Sequence, residues 1–204
     1  MPSVCGIVLG AGGSRRLGLP KQTLVLGHTT LLSWVVGNAE ASSLDRVVVV
    51  LGGASEETRA SLVTTRAELV SNQAYTSGCA SSLLAGLDAV CGCDGAMLIL
   101  GDMPGVDPSV IDQVRADWER HRPAMAVTSY RGELGHPFVF SAEMYPDLTG
   151  LHGDKAVWKL IEAEPERVRP VAIDRPLPRD VDTWDDYVAV CQELGLPAPS
   201  PAPA

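Results

Sequence analysis

No stretch of the 204-residue chain approaches the roughly 18–20 apolar residues that span a bilayer, so no membrane segment is expected. No Lys/Arg-rich run exists either. The formal net charge is -9, from 16 Lys+Arg against 25 Asp+Glu. Nucleic acid is therefore not an expected partner, because such binding starts from a basic patch. The start, Met-Pro-Ser before an apolar run, lacks a basic n-region and a cleavage site. A signal peptide is not expected, and a cytoplasmic location is. Cys5, Cys79, Cys91, Cys93 and Cys191 show no C-x-x-C spacing; Cys91 and Cys93 form C-x-C. That disfavours a zinc or redox motif, and reduced thiols are expected. One more absence is local. No acid precedes Glu40, whereas Arg15, Arg16 and Lys21 do, so the first 39 residues carry +3.

What is present is ordinary globular composition, 46% hydrophobic and 20% charged. Apolar runs of strand length alternate with longer helical patterns. Strands are expected at Val4–Leu9, Val47–Leu51, Glu68–Ser71, Ala96–Leu100, Ala124–Thr128, Pro137–Phe140 and Val168–Ile173. Helices are expected at about 29–42, 55–66, 79–90, 108–121, 153–164 and 182–194. Asp107 before Pro108 reads as an N-cap followed by proline at the first helical position. The alternation implies an α/β three-layer domain with a mostly parallel sheet. One domain is expected over residues 1–194, with 195–204, GLPAPSPAPA, as a disordered Pro/Ala-rich tail.

The first strand runs into Gly10-Ala11-Gly12-Gly13-Ser14-Arg15-Arg16-Leu17-Gly18-Leu19-Pro20-Lys21. Glycines there let backbone N–H groups approach a phosphate. The dinucleotide pattern G-x-G-x-x-G fails, because Arg15 stands at its last glycine. The P-loop fails as well, because Leu19 stands where its lysine must be. What remains is a glycine loop beside three cations, which suits a triphosphate.

The stretch Leu9–Lys21 resembles L-A-(A/G)-G-x-S-x-R-M-G-x-x-K, the signature of the molybdenum cofactor nucleotidyltransferase family. Further stretches resemble that family in the same order. Gly101-Asp102-Met103-Pro104 matches G-D-M-P, Gly135-His136-Pro137 matches G-H-P, and Asp180-Val181-Asp182-Thr183 matches D-V-D-T. Asn72–Leu83 is similar to a stretch typical of the cytidylyltransferase type. The segment Leu151–Trp158 resembles L-x-G-D-x-G-A-R, but Ala156 stands for the glycine and Trp158 for the arginine.

The resemblance implies a Rossmann-like nucleotidyltransferase fold. It implies that Leu9, Gly10, Ala11, Gly12, Gly13 and Ser14 touch the nucleotide, and that Arg16 and Lys21 hold its phosphates. Asp102 and Asp182 are implied as ligands of Mg²⁺ or Mn²⁺, the hard-oxygen chemistry such ions need. Asp182 or Thr183 could alternatively cap the last helix. Asn72, Gly78 and Ser82 are candidates for reading a base or ribose, and His136 for contacting substrate. Arg16, Lys21 and Asp102 are the expected catalytic residues.

The expected reaction moves NMP from CTP or GTP to a pterin-type phosphate, molybdopterin or the molybdenum cofactor. CTP is favoured by Ala11 and the 72–82 stretch. A molybdenum hydroxylase or its chaperone is a conceivable partner. Two rivals are a non-catalytic cofactor-binding chaperone and an NAD-dependent oxidoreductase, the latter disfavoured by the failed dinucleotide pattern. Lys155 or Lys159 could compensate for the missing arginine.

Overall fold

The computed structural model describes residues 2–12, 17–52, 55–153 and 155–197. The first strand, β1 (Val4–Gly10), is buried along its length. A hairpin of two short strands, β2 (Val25–Leu26) and β3 (Thr29–Thr30), leads into α1 (Leu31–Ala41). Then come β4 (Arg46–Leu51), α2 (Ser55–Ser61), β5 (Glu68–Ser71), α3 (Cys79–Ala89) and β6 (Gly95–Leu100). The second half holds α4 (Pro108–His121), β7 (Met125–Tyr130), β8 (Glu133–Ser141) and α5 (Tyr145–Thr149). It ends with α6 (Ala156–Ala163), β9 (Val168–Ile173) and α7 (Trp184–Glu193).

Among the described residues seven strands form one sheet, in the order β5-β4-β1-β6-β8-β7-β9. All pairs are parallel except the two made by β8. Side chains along β1 alternate between the faces, as strand geometry requires. Val4 and Val8 join the core beneath α1 and α4, whereas Cys5, Ile7 and Leu9 join the core beneath α3, α5 and α6. The result is the expected three-layer αβα, Rossmann-like domain with a mostly parallel sheet. A third cluster packs α7 on the hairpin through Leu24, Leu26, Leu31, Val181 and Tyr187.

Three differences from the sequence reading have local causes. The strand expected at Pro137 begins at Glu133, so His136 lies inside β8 and not at its start. The thiols are not all reduced: Cys5 and Cys93 form a disulfide, Cα–Cα 6.2 Å. Parallel pairing of β1 with β6 brings them together, since Cys5 stands opposite Ala96. Finally, the packed chain continues past Glu193, because Leu196 donates its N–H to Cys191 O at 2.8 Å and rests on the third cluster. The rest of the expected tail, from 198 on, lies outside the described residues.

Candidate active site

From β1 the chain crosses to β4 and β5 on one side, and β6 lies on the other. That reversal makes a switch-point crevice at the carboxyl ends of β1 and β6, where open α/β sheets bind ligands. The glycine loop leaves β1 into this crevice, and Asp102 leaves β6 into it. Gly101 permits the join. Its N–H donates to Leu9 O at 3.0 Å, and a Cβ there would stand 2.7 Å from that carbonyl oxygen.

The described part of the loop, Gly10 to Gly12, is held by Gln22. Its buried amide donates to Gly10 O at 3.0 Å and to Gly12 O at 2.8 Å. Sequence reasoning missed Gln22, because nothing marks it except its place beside Lys21. The expected contacts of Gly13, Ser14, Arg15 and Arg16 fall outside the described residues.

Lys21, Asp102 and Asp182 come together from three distant stretches. The Lys21 ammonium is 2.5 Å from Asp102 Oδ2 and 2.8 Å from Asp182 Oδ1. The Val181 N–H donates to Asp102 O at 3.0 Å, which seats the Asp182 segment beside the β6 end. Side-chain exposure rises from 11% at Lys21 through 20% at Asp102 to 33% at Asp182, so the cluster opens on the Asp182 side. Burial alone would lower the Lys21 pKa, but the two carboxylates outweigh it and raise it. Burial raises Asp102, and the ammonium opposes that. The 2.5 Å contact is that of an ion pair, and the ammonium stays charged.

The capping alternative resolves in favour of Thr183. Its hydroxyl accepts from Asp186 N, and Asp186 Oδ2 accepts from Thr183 N at 2.9 Å, a capping box. The Asp182 carboxylate instead faces Lys21 on the crevice rim. A metal fits these donors on one further observation: Asp102 Oδ1 is buried and has no hydrogen-bond partner. An unpaired buried carboxylate oxygen is costly, and a divalent cation would satisfy it. Among the described residues no group of three His, Cys, Asp or Glu is poised for a metal. Two carboxylates would need phosphate oxygens and water to complete the shell, the usual arrangement for Mg²⁺.

Asn72 and Ser82 are brought together, but with each other. The Asn72 amide donates to Ser81 Oγ at 2.9 Å and Ser82 Oγ at 3.0 Å, and its oxygen accepts from Ala74 N at 2.9 Å. In this structure they hold the loop before α3. Gly78 caps that helix at φ 110°, a left-handed backbone that favours glycine. His136 is buried, and burial pushes its imidazole down to about 4. It lines a cavity of about 100 Å³ that also contains Trp158. Lys155 and Lys159 are exposed and line no part of that cavity, so neither replaces the missing arginine there.

A switch-point crevice with a glycine loop, a lysine and two carboxylates on its rim defines a nucleotide-binding α/β protein. Over residues 6–168 the chain matches the MobA-like NTP transferase domain, and it belongs to that family. Asp182 lies beyond the matched span. Among solved structures, the chain is 39% identical to the Rv0371c homologue of Mycobacterium sp. strain JC1, with 94% of this chain and 96% of that one covered and a TM-score of 0.85. Rv0371c of Mycobacterium tuberculosis in complex with manganese is 36% identical, with 94% and 98% covered and a TM-score of 0.79. Nicotine blue oxidoreductase of Paenarthrobacter nicotinovorans is 27% identical, over 90% of this chain and 94% of that one. Purine catabolism protein PucB of Bacillus subtilis (strain 168) is 28% identical, over 91% and 95%.

Proposed function

We propose that the protein transfers NMP from an NTP, CTP in preference to GTP, to the phosphate of a pterin-type acceptor, molybdopterin or the molybdenum cofactor. The observation that carries this reading is the Lys21–Asp102–Asp182 cluster on the rim that bears the glycine loop. An acceptor phosphate oxygen attacks the α-phosphorus. The bond from that phosphorus to the bridging oxygen breaks, and pyrophosphate leaves. The attacking phosphate is already ionised near neutral pH, so positioning and charge neutralisation are the chief tasks. Lys21 provides a charge inside the crevice, and Arg16 a second cation along the loop. Asp102 and Asp182 would hold Mg²⁺ or Mn²⁺, which supplies Lewis-acid neutralisation of phosphate oxygens when bound. Support for a divalent ion comes from the manganese complex of Rv0371c and from the unpaired Asp102 Oδ1.

The test is pyrophosphate release with each NTP, Mg²⁺ and molybdopterin. Release with CTP above GTP is expected; no release with any NTP defeats the reading.

A second reading is redox, favoured by the name of the nicotine blue relative. The failed dinucleotide pattern weighs against it. NADH oxidation with a planar dye acceptor, in the absence of any NTP, would replace the transfer reading.

A further inference from the structure

A single turn of 3₁₀ helix, Lys21–Thr23, sends two consecutive side chains to the two halves of the crevice. Lys21 reaches Asp102 and Asp182. Gln22 reaches the glycine loop, where Nε2 donates to Gly10 O at 3.0 Å and to Gly12 O at 2.8 Å. The turn itself is well tied. Pro20 O accepts from Thr23 N at 3.0 Å and from the Thr23 hydroxyl at 2.9 Å, and Leu24 N donates to Lys21 O at 3.2 Å. The loop and the Lys21 ammonium are thus both placed from one fixed point.

The Gln22 amide is committed to the loop. Only 5% of the residue is exposed, and its Oε1 is buried with no hydrogen-bond partner. An unmet buried acceptor is costly. Turning the amide over would relieve nothing, because Oε1 would then face two carbonyl oxygens, which only accept. The two carbonyls therefore decide the orientation. An apolar side chain of the same length would fill the same space and leave no acceptor unmet, so packing alone does not explain a glutamine here. A trans peptide points its C=O and N–H in opposite directions. With the Gly10 carbonyl drawn onto the buried amide, the Ala11 N–H is turned away from Gln22. At both peptides an anion approaching from the crevice is spared the carbonyl oxygen.

We propose that Gln22 is the positioning residue of the nucleotide site: its amide draws the Gly10 and Gly12 carbonyls away from the phosphates and fixes the loop relative to Lys21. It touches no substrate. The loop binds well because this part of its shape is set before the ligand arrives. That the ligand is a nucleotide rests on the transfer reading; its binding does not require turnover.

The experiment titrates CTP with Mg²⁺ into the full chain by calorimetry, with circular dichroism at the same temperature to show each variant folded. Gln22→Met keeps the length of the side chain and removes both donors. It should bind CTP at least 10-fold more weakly than the unaltered protein, the scale of about two neutral hydrogen bonds. Gln22→Glu gives a readout that packing would not move. Its buried carboxyl, facing two carbonyl oxygens, should titrate well above the ordinary value of about 4.3. Above that pKa the carboxylate repels both carbonyls and CTP affinity falls. Below it the protonated carboxyl donates to one of them and affinity recovers. Dividing by the affinity of the unaltered protein at each pH removes the titration of CTP and of Lys21, Asp102 and Asp182. The ratio should move at least 10-fold towards unity between about pH 9 and about pH 5.5. A smaller loss in folded Gln22→Met overturns the proposal, as does a Gln22→Glu ratio that does not change with pH. If Gln22→Met does not fold, the pH dependence of Gln22→Glu decides. Failure of both variants to fold marks a purely structural residue and also overturns it. If the variants behave as expected but the unaltered protein releases no pyrophosphate, the transfer reading falls alone. If the unaltered protein transfers NMP and Gln22→Met binds CTP as tightly, the positioning role falls alone. If no NTP binds the unaltered protein, both fall.

Discussion

Lys21 spends its charge on two carboxylates, 2.5 and 2.8 Å away, although its motif points to phosphates. Both roles follow from one property. A divalent ion binding Asp102 and Asp182 must displace the ammonium, and a triphosphate gives the ammonium other oxygens to hold. Divalent affinity without nucleotide should therefore be weak, and Lys21→Met should raise it at least 10-fold in a Mn²⁺ titration. The same variant should cut turnover at least about 100-fold, the scale of losing one key electrostatic contact. Near-normal turnover would remove Lys21 from the machinery. His136 gives a second residue-scale test. Burial holds its imidazole at about 4 against an ordinary 6.5. Between those values the unfolded chain takes up a proton that the folded protein refuses, so stability falls as pH drops from 6.5 towards 4. The loss is about 3 kcal/mol in all. Glu40, lowered to about 2 by hydrogen bonds from Thr64, Thr65 and the 66–67 backbone despite burial, loses its contribution only below about 4.5. Asp102, which burial raises, acts with the opposite sign, so the His136 contribution is read by comparing urea midpoints at pH 6.5 and 4.5 between the unaltered protein and His136→Gln, in which the loss at pH 4.5 should be smaller. Lys21, Asp102, Asp182 and His136 were each visible in a motif, whereas Glu40 was not. The ion pairs of Lys21 left no local mark, because they cross 81 and 161 residues of separation.

At the scale of elements, legibility tracked how local the cause is. The α4 cap could be read because Asp107 and Pro108 act within one turn: the Asp107 carboxylate accepts from Val110 N at 3.0 Å. β1, β4 and β6 were legible as apolar runs buried on both faces, while β5 and β9, partly exposed, gave weaker signals. The β2–β3 hairpin, with two residues in each strand, was too short to show a period. The cap of α7 was ambiguous between Asp182 and Thr183, since either side chain could accept the same N–H. The capping box settles on Thr183, and this matters beyond the helix because the neighbouring Asp182 carboxylate pairs with Lys21 and not with the helix end. Thr183→Ala should cost about 1 kcal/mol in urea unfolding. It should also weaken Mn²⁺ binding, because the residue that starts the helix orients Asp182. Unchanged metal affinity alongside lost stability would separate the cap from the site.

For the whole molecule, the order β5-β4-β1-β6-β8-β7-β9 is what turns separate motifs into one site. It sets the carboxyl ends of β1 and β6 side by side, and it also explains the pairing that cysteine spacing hid. C-x-C looked inert because spacing along the chain says nothing about a neighbouring strand. Cys93 reaches Cys5 across the sheet, 88 residues away, while Cys91 remains exposed. A cross-link closing so long a loop removes much unfolded-state entropy, about 4.6 kcal/mol on the chain-entropy view. For a domain of this size, each kcal/mol is worth roughly 2–4 °C in melting temperature. Cys5→Ala with Cys93→Ala should therefore melt roughly 10 °C lower than the unaltered protein under non-reducing conditions. Cys91→Ser should melt with the unaltered protein. The bond ties the amino ends of β1 and β6, whereas the crevice opens at their carboxyl ends, so nucleotide affinity should survive the double variant at a temperature where it is folded. A double variant that melts with the unaltered protein would show that the cross-link contributes nothing in solution. Lost nucleotide affinity in a folded double variant would show that strain at one end of this sheet reaches the other.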